Sequence, residues 1–371
     1  MNPGGWFALL AMQQSEEERR HQELLTSLSR PAPSVPAPSV FSTNRAPDPG
    51  AQHAALGWEY YQKGRYERAL NQFARAIDEG VSPESSVWDG ASHCLARLGR
   101  LQEAEDACTE WFELQEDPEA LRRRGWVRYR LRRYADALAD LDAALVPGSS
   151  LDDTAFECQV RAWCLEGLGR TDEAIDALNA GIDGWPEDAS LHALRAKMLS
   201  HQDRTDEAAA AIEVARRLEP DSVTVESAAA AVAAQRSDWS AVIAAGQRLH
   251  ELAPSGAGGW YWSGLGYRHQ RAFPEAVSDL EHALQLMPGL VDCEFELACA
   301  LTQLGRRAEA SAHLKVAVNS EFGEKYRKLA RTDPDLRQTP GSQPRRSSRN
   351  FESKLAQLDK PGRITTARWS P

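Results

Sequence analysis

The sequence predicts an all-α chain built of repeated helical hairpins. Three observations carry this. Pro186, Pro220, Pro254 and Pro288 stand 34 residues apart. A mostly small residue recurs as Ala69, Ala104, Ala137, Ala174, Ala208, Val242, Ala276 and Ala310, in steps of 35, 33, 37, 34, 34, 34 and 34. A second ladder runs in register with it, as Gly57, Ser92, Gly125, Ala162, Ala196, Ala230, Gly264 and Ala298. A fixed period of this length marks stacked units, none of which buries its apolar face alone.

The stretch from Ala257 to Leu290 shows one unit most completely. Trp260, Gly264, Tyr267, Ala276, Leu280 and Pro288 fall at the offsets W…G…Y…A…F…P, with Ser263 in place of the usual Leu and Leu280 in place of Phe. On these residues the chain resembles the tetratricopeptide repeat (TPR) family, from about Gly50 to Arg337. The resemblance implies a right-handed α-solenoid, a superhelix, of about eight helix–turn–helix repeats.

Each position in the unit has a physical reason. The ladders mark close helix crossings, where only Gly, Ala or Ser leaves room. Large residues fill the gaps, as Tyr60, Tyr66 and Phe73 in the first repeat and Tyr267, Phe273 and Leu280 in the seventh. The repeat-ending Pro stops the second helix, because it lacks an N–H and clashes with the preceding turn. Gly64, Gly99, Gly169 and Gly305 sit between paired helices, where the cap needs a positive φ.

In chain order, residues 1–29 are expected to form an N-terminal amphipathic helix or arm, with Trp6, Phe7, Leu9 and Leu10 as its apolar end. Residues 30–50 are a Pro-rich linker. The solenoid occupies 51–336, with repeats starting near 50, 85, 118, 155, 189, 223, 257 and 291. An insertion, VPGSSLDD, precedes the fourth repeat. The sixth is Ala-rich, departs from the pattern at Val242 and Gly246, and is expected to pack loosely. A capping helix at about 324–337 closes the stack. Residues 338–371 are expected to be a disordered basic tail, with a cluster Arg345-Arg346-Ser347-Ser348-Arg349 and helically spaced Phe351, Leu355 and Leu358.

Charge is divided along the chain. The formal net charge of −11 splits into −1 for 1–50, −16 for 51–336 and +6 for 337–371. An acidic body argues against nucleic acid as its ligand. The six cysteines, at 94, 108, 158, 164, 293 and 299, form no C-x-x-C pair, so they read as reduced, buried thiols. The apolar run Trp6 to Met12 is shorter than the roughly 20 residues of a membrane span and has no basic flank before it. Cytoplasm is the expected location.

No catalytic constellation is legible: no G-x-S-x-G, no phosphate-cradling loop, no H-E-x-x-H, no dinucleotide fingerprint. The nine His are scattered over different repeats. The expectation is therefore no enzyme, no cofactor, no metal and no small-molecule substrate.

What remains is a surface. The resemblance implies that first helices line the concave side, with positions 2, 5, 9, 12 and 13 of each repeat facing inward. Position 9 reads Trp58, His93, Trp126, Trp163, Lys197, Ala231, Leu265 and Cys299; position 12 reads Tyr61, Ala96, Tyr129, Glu166, Ser200, Ala234, Arg268 and Thr302. The N-terminal half is thus rich in Trp, Tyr and Arg, the types that dominate binding hot spots. The candidate peptide-binding groove is Trp58, Tyr61, His93, Arg97, Arg122, Trp126, Tyr129, Arg130 and Trp163. These Trp either meet a partner or pack against the neighbouring first helix. The Lys/Asn clamp of chaperone-tail receptors is missing, since positions 5 and 9 read Ala54/Trp58, Asp89/His93 and Arg122/Trp126.

The expected function is a non-enzymatic protein–protein interaction scaffold or adaptor that binds a peptide segment in this groove. The alternative is an adaptor whose basic tail contacts nucleic acid or an anionic membrane while the repeats bind a protein.

Overall fold

The computed structural model describes residues 49–80, 84–145, 154–320 and 323–337. The expected arm, most of the linker, the 146–153 insertion and the tail lie outside them. The described residues contain helices and no strand. In order these are α1 (Pro49–Gln62), α2 (Tyr66–Asp78), α3 (Glu84–Arg97), α4 (Leu101–Gln115), α5 (Pro118–Arg130) and α6 (Tyr134–Ala143). They continue as α7 (Ala155–Gly167), α8 (Thr171–Gly184), α9 (Ala189–His201), α10 (Thr205–Leu218), α11 (Val223–Gln235) and α12 (Trp239–Leu252). The last are α13 (Ala257–His269), α14 (Phe273–Leu286), α15 (Val291–Gln303), α16 (Arg307–Val318), α17 (Gly323–Thr332) and α18 (Pro334–Arg337). Odd-numbered helices through α15 are the first helices of repeats and even-numbered ones through α16 the second. Each first helix begins at or within one residue of its predicted start.

Both ladders are buried, and their spacing has a steric cause. A Cβ on Gly57 would stand 2.5 Å from the Phe73 ring, and one on Gly264 would stand 2.7 Å from Leu280. The large residue of the second helix thus lies directly over the small residue of the first. On Gly125 a Cβ would approach the Ala137 carbonyl and Leu141 at 3.2 Å.

The turn inside every repeat has one left-handed residue. Glycine supplies it at Gly64, Gly99, Gly169 and Gly305, with φ between 68° and 76°. Arg132, Asp203, Ser237 and Arg271 take the same conformation, at 58° to 65°. Backbone bonds such as Arg133 N–H to Arg128 O and Ala272 N–H to Tyr267 O cap the preceding helix and hold it there.

The described residues form two compact units, which part between Arg236 and Ser237. The first holds α1–α11. A core cluster in it runs through Leu138, Leu141, Leu178, Leu191 and Met198. Its last helix, α11, packs on α9 and α10. The Ala run there lets it seat closely, so Val225 and every residue from Glu226 to Ala233 are buried.

The second unit holds α12–α18. Here α12 and α13 pack with backbones almost touching, since a Cβ on Gly246 would lie 2.6 Å from Ser263 N and 2.9 Å from Gly259 O. The boundary between units therefore falls inside the sixth repeat. The single capping helix expected at about 324–337 is two helices. It breaks at Asp333, because the residue before a proline is driven out of helical φ/ψ. Its apolar side, with Tyr326 and Ala330, is buried, while Glu324, Lys328, Arg331 and Thr332 are exposed.

Candidate functional site

The first unit brings most of the predicted groove residues into one row. On α1, Trp58 meets Tyr61 edge-on at 5.6 Å and Phe73 at 5.2 Å. Tyr61 meets Tyr66 at 5.5 Å and reaches the next first helix at His93, 6.0 Å away. His93 on α3 lies 6.3 Å from Trp126 on α5. One turn further along α5, Tyr129 stacks on Trp163 of α7 at 5.5 Å and 20°, with Tyr134 at 6.2 Å. Four successive first helices thus share an aromatic seam. The type changes at α9, where position 9 is Lys197, 5% exposed.

The nine residues are not equally accessible. Trp58, Tyr61, Arg97, Trp126, Arg130 and Trp163 are half-buried. His93, Arg122 and Tyr129 are buried, at 2%, 6% and 8% exposure, and form the floor. Trp58, Trp126 and Trp163 each pack partly against core clusters, so they serve both as framework and as surface.

Three consecutive arginines diverge because helix neighbours are set about 100° apart. Arg122 turns to Glu119 and Glu157, at 3.5 and 3.8 Å. Arg123 reaches Asp89 at 2.8 Å and Arg124 reaches Asp140 at 2.8 Å. Arg123 and Arg130 bracket Trp126, their guanidinium carbons 5.9 and 5.4 Å from its ring centre. Sequence reasoning assigned Arg122 to the groove and missed Arg123. The available signal was the i, i+3 spacing of Arg123 and Trp126.

Electrostatics fix the protonation of the floor. Burial, aided by the positive Arg123 and Arg97, holds the His93 imidazole well below the ordinary histidine value of 6.5. Burial also raises the Tyr61 phenol, partly offset by Arg97 beside it. The unfolded chain takes the His93 proton more readily than the folded one, so stability is lost as pH falls below about 6.5. The expected result is a His93 ring signal in NMR that does not titrate between pH 7 and 6; a midpoint in that range would place His93 in water.

Among the described residues no group of three or more His, Cys, Asp or Glu is placed to hold a metal ion. The six cysteines are buried, and burial pushes the thiols of Cys94, Cys108 and Cys164 up to about 12. A cleft of about 550 Å³ between α6, α7 and α8 is lined by Leu138, Leu165 and Leu168. Its rim charges pair with each other, Arg161 with Asp142 and Arg170 with Glu173, rather than converging on the space. No helix among the described residues is long and apolar enough to cross a membrane.

In the second unit the corresponding first-helix face is covered. Arg268, Thr302 and Gln303 are 2%, 4% and 7% exposed.

Comparison with known proteins agrees with the hairpin architecture. Residues 54–115 and 161–223 match the family model of the tetratricopeptide repeat. No curated protein matches the sequence. Among solved structures, the human IFIT1 dimer with m7Gppp-AAAA is similar over 86% of this chain and 78% of its own, at 15% identity and a TM-score of 0.53. The human IFIT1 dimer with PPP-AAAA is similar over 83% and 77%, at 15% identity and a TM-score of 0.52. The APC/C hetero-tetramer Cut9-Hcn1 is similar over 85% of this chain and 59% of its own, at 14% identity and a TM-score of 0.55. At these identities the likeness is one of fold.

Proposed function

We propose that this chain, which belongs to the tetratricopeptide repeat family, is a protein-binding scaffold without catalytic chemistry of its own. Its first unit receives a peptide segment along Trp58, Tyr61, His93, Arg97, Arg122, Trp126, Tyr129, Arg130 and Trp163. The observation that carries this reading is the aromatic seam across α1, α3, α5 and α7, bracketed by Arg123 and Arg130 and left half-open to solvent. Half-buried aromatics held rigid by their neighbours lose little entropy on binding, and each contributes about 2 kcal/mol when a partner desolvates it fully. The matching ligand carries apolar side chains and some acidic ones.

Trp126→Ala tests this in the full chain, assayed for both stability and retention of partners from the host lysate. Lost capture is expected, with destabilisation clearly below the roughly 3–5 kcal/mol of a fully buried Trp such as Trp111. Retained capture by the folded variant would make Trp126 framework and remove the groove assignment.

The competing reading is nucleic acid, at this face or at the basic tail. Two of the similar structures hold capped or triphosphorylated RNA, and the seam is lined by arginines. Against it, Arg122 and Arg123 are already paired with carboxylates, and residues 51–336 carry −16. Binding to anionic polymer that weakens steeply with salt and disappears on removing 338–371 would favour the tail.

A further inference from the structure

The second unit has a peptide-like occupant that belongs to the chain itself. After α17 the backbone bends at Asp333, and α18 lies against α15. Asp335 places a carboxylate oxygen 2.8 Å from Arg268 of α13, and Asp333 places one at 3.4 Å. Gln303, at the end of α15, donates its side-chain N–H to the Asp335 carbonyl at 2.5 Å. Leu336 is 4% exposed and joins the cluster of Phe295, Cys299 and Tyr326. Two acids on one guanidinium, a main-chain carbonyl on an amide and a leucine in an apolar hole are the contacts expected of a bound peptide. Three residues of one four-residue segment supply them all.

The electrostatics make this segment removable. Arg268 already has a partner on the neighbouring first helix, Glu296, 2.5 Å from its Nε. Withdrawal of Asp333 and Asp335 therefore still leaves Arg268 facing one carboxylate, whereas a buried charge left with no counter-charge is the usual cause of a large penalty. It also relieves crowding of carboxylates, since Glu296, Asp333 and Asp335 all surround one arginine, with Arg271 at 3.9 Å from Asp335. Burial, with Asp333 and Asp292 adding to it, pushes the Glu296 carboxyl up to about 7, as expected where acids outnumber cations.

We propose that the face formed by Arg268, Phe295, Cys299 and Gln303 is a second peptide-docking site, which the chain fills with Asp333–Leu336 and yields to an acidic, leucine-bearing segment of a partner protein. The site lies wholly within the second unit and does not depend on the aromatic seam of the first. Charge complementarity names the partner: among the described residues this face is filled by a pair of carboxylates followed by a leucine.

The test uses the full chain and a labelled peptide with the sequence of residues 332–338, Thr-Asp-Pro-Asp-Leu-Arg-Gln. The double variant Asp333→Asn with Asp335→Asn weakens the internal segment. It should bind the peptide at least tenfold more tightly than the parent, with new hydrogen-exchange protection in residues 257–303. The same peptide with Asn at both Asp positions should not bind. Equal binding by parent and variant, no binding by either, or protection confined to 49–145 would overturn the proposal. Should the double variant lose helical signal, Leu336→Ala takes its place under the same criteria. Loss of helix in that variant too would make α18 indispensable framework and equally defeat the idea.

Discussion

Asp140→Ala should destabilise the first unit by about 3–5 kcal/mol, the largest effect of any single polar substitution considered. Asp140 on α6 is 4% exposed and receives both nitrogens of the Arg124 fork, at 2.8 and 3.0 Å, and Arg128 at 2.7 Å. Arg128 also reaches Glu105 on α4 at 2.8 Å, and Arg133 joins the same Glu105 at 2.7 Å. Two carboxylates and three guanidinium groups therefore tie α4, α5 and α6 together across the second and third repeats. Removing the Asp140 carboxylate leaves Arg124 without a carboxylate and Arg128 with Glu105 alone, both largely shielded from water. Asp140→Asn keeps the shape and one acceptor, so it should cost less. The check is the urea midpoint of each variant, with hydrogen exchange in 101–143 showing where the loss falls. A change below about 1 kcal/mol for the alanine variant would mean that water replaces the carboxylate.

Gly246→Leu should cost about 3 kcal/mol or more in the second unit, at or above the upper end for overpacking. A methyl there would already stand 2.6 Å from Ser263 N and 2.9 Å from Gly259 O. These are backbone atoms of α13, so no rotamer change relieves the clash and the helices must separate. Gly259 mirrors it, its Cβ meeting Gly246 O at 2.8 Å. By contrast, the nearest atoms to a Cβ at Gly57 all belong to the Phe73 ring, a side chain rather than backbone. Thermal melting of Gly246→Leu beside Gly57→Ala makes the comparison. Equal losses would mean that the α12–α13 crossing is looser than its geometry.

The hairpin architecture was legible because it is written locally. A position that must be small recurs wherever two helices of a pair cross, and that requirement repeats with the unit. The glycine turns were legible for the same reason, but only at half the repeats. Arg132, Asp203, Ser237 and Arg271 hold the same left-handed turn without announcing it, since the hairpin imposes the conformation. Gly246 looked like a departure from the pattern and is instead a closer crossing. The candidate groove was legible as residue types at fixed positions. Which of its members are floor and which are surface was not, because exposure depends on neighbours a repeat away.

The sequence by itself thus determined the class of fold, the number and register of the repeats and the aromatic character of the early first helices. Each follows from a short-range period in side-chain size. Tertiary structure alone decided the pairings. Arg123 meets Asp89 34 residues away, Arg124 meets Asp140 16 away, and Arg268 meets Asp335 67 away. No period encodes these, because a charged side chain is compatible with many partners until packing excludes water from all but one. The same physics placed Asp333–Leu336 over the last repeats, where burial rather than spacing selected the carboxylates that close on Arg268.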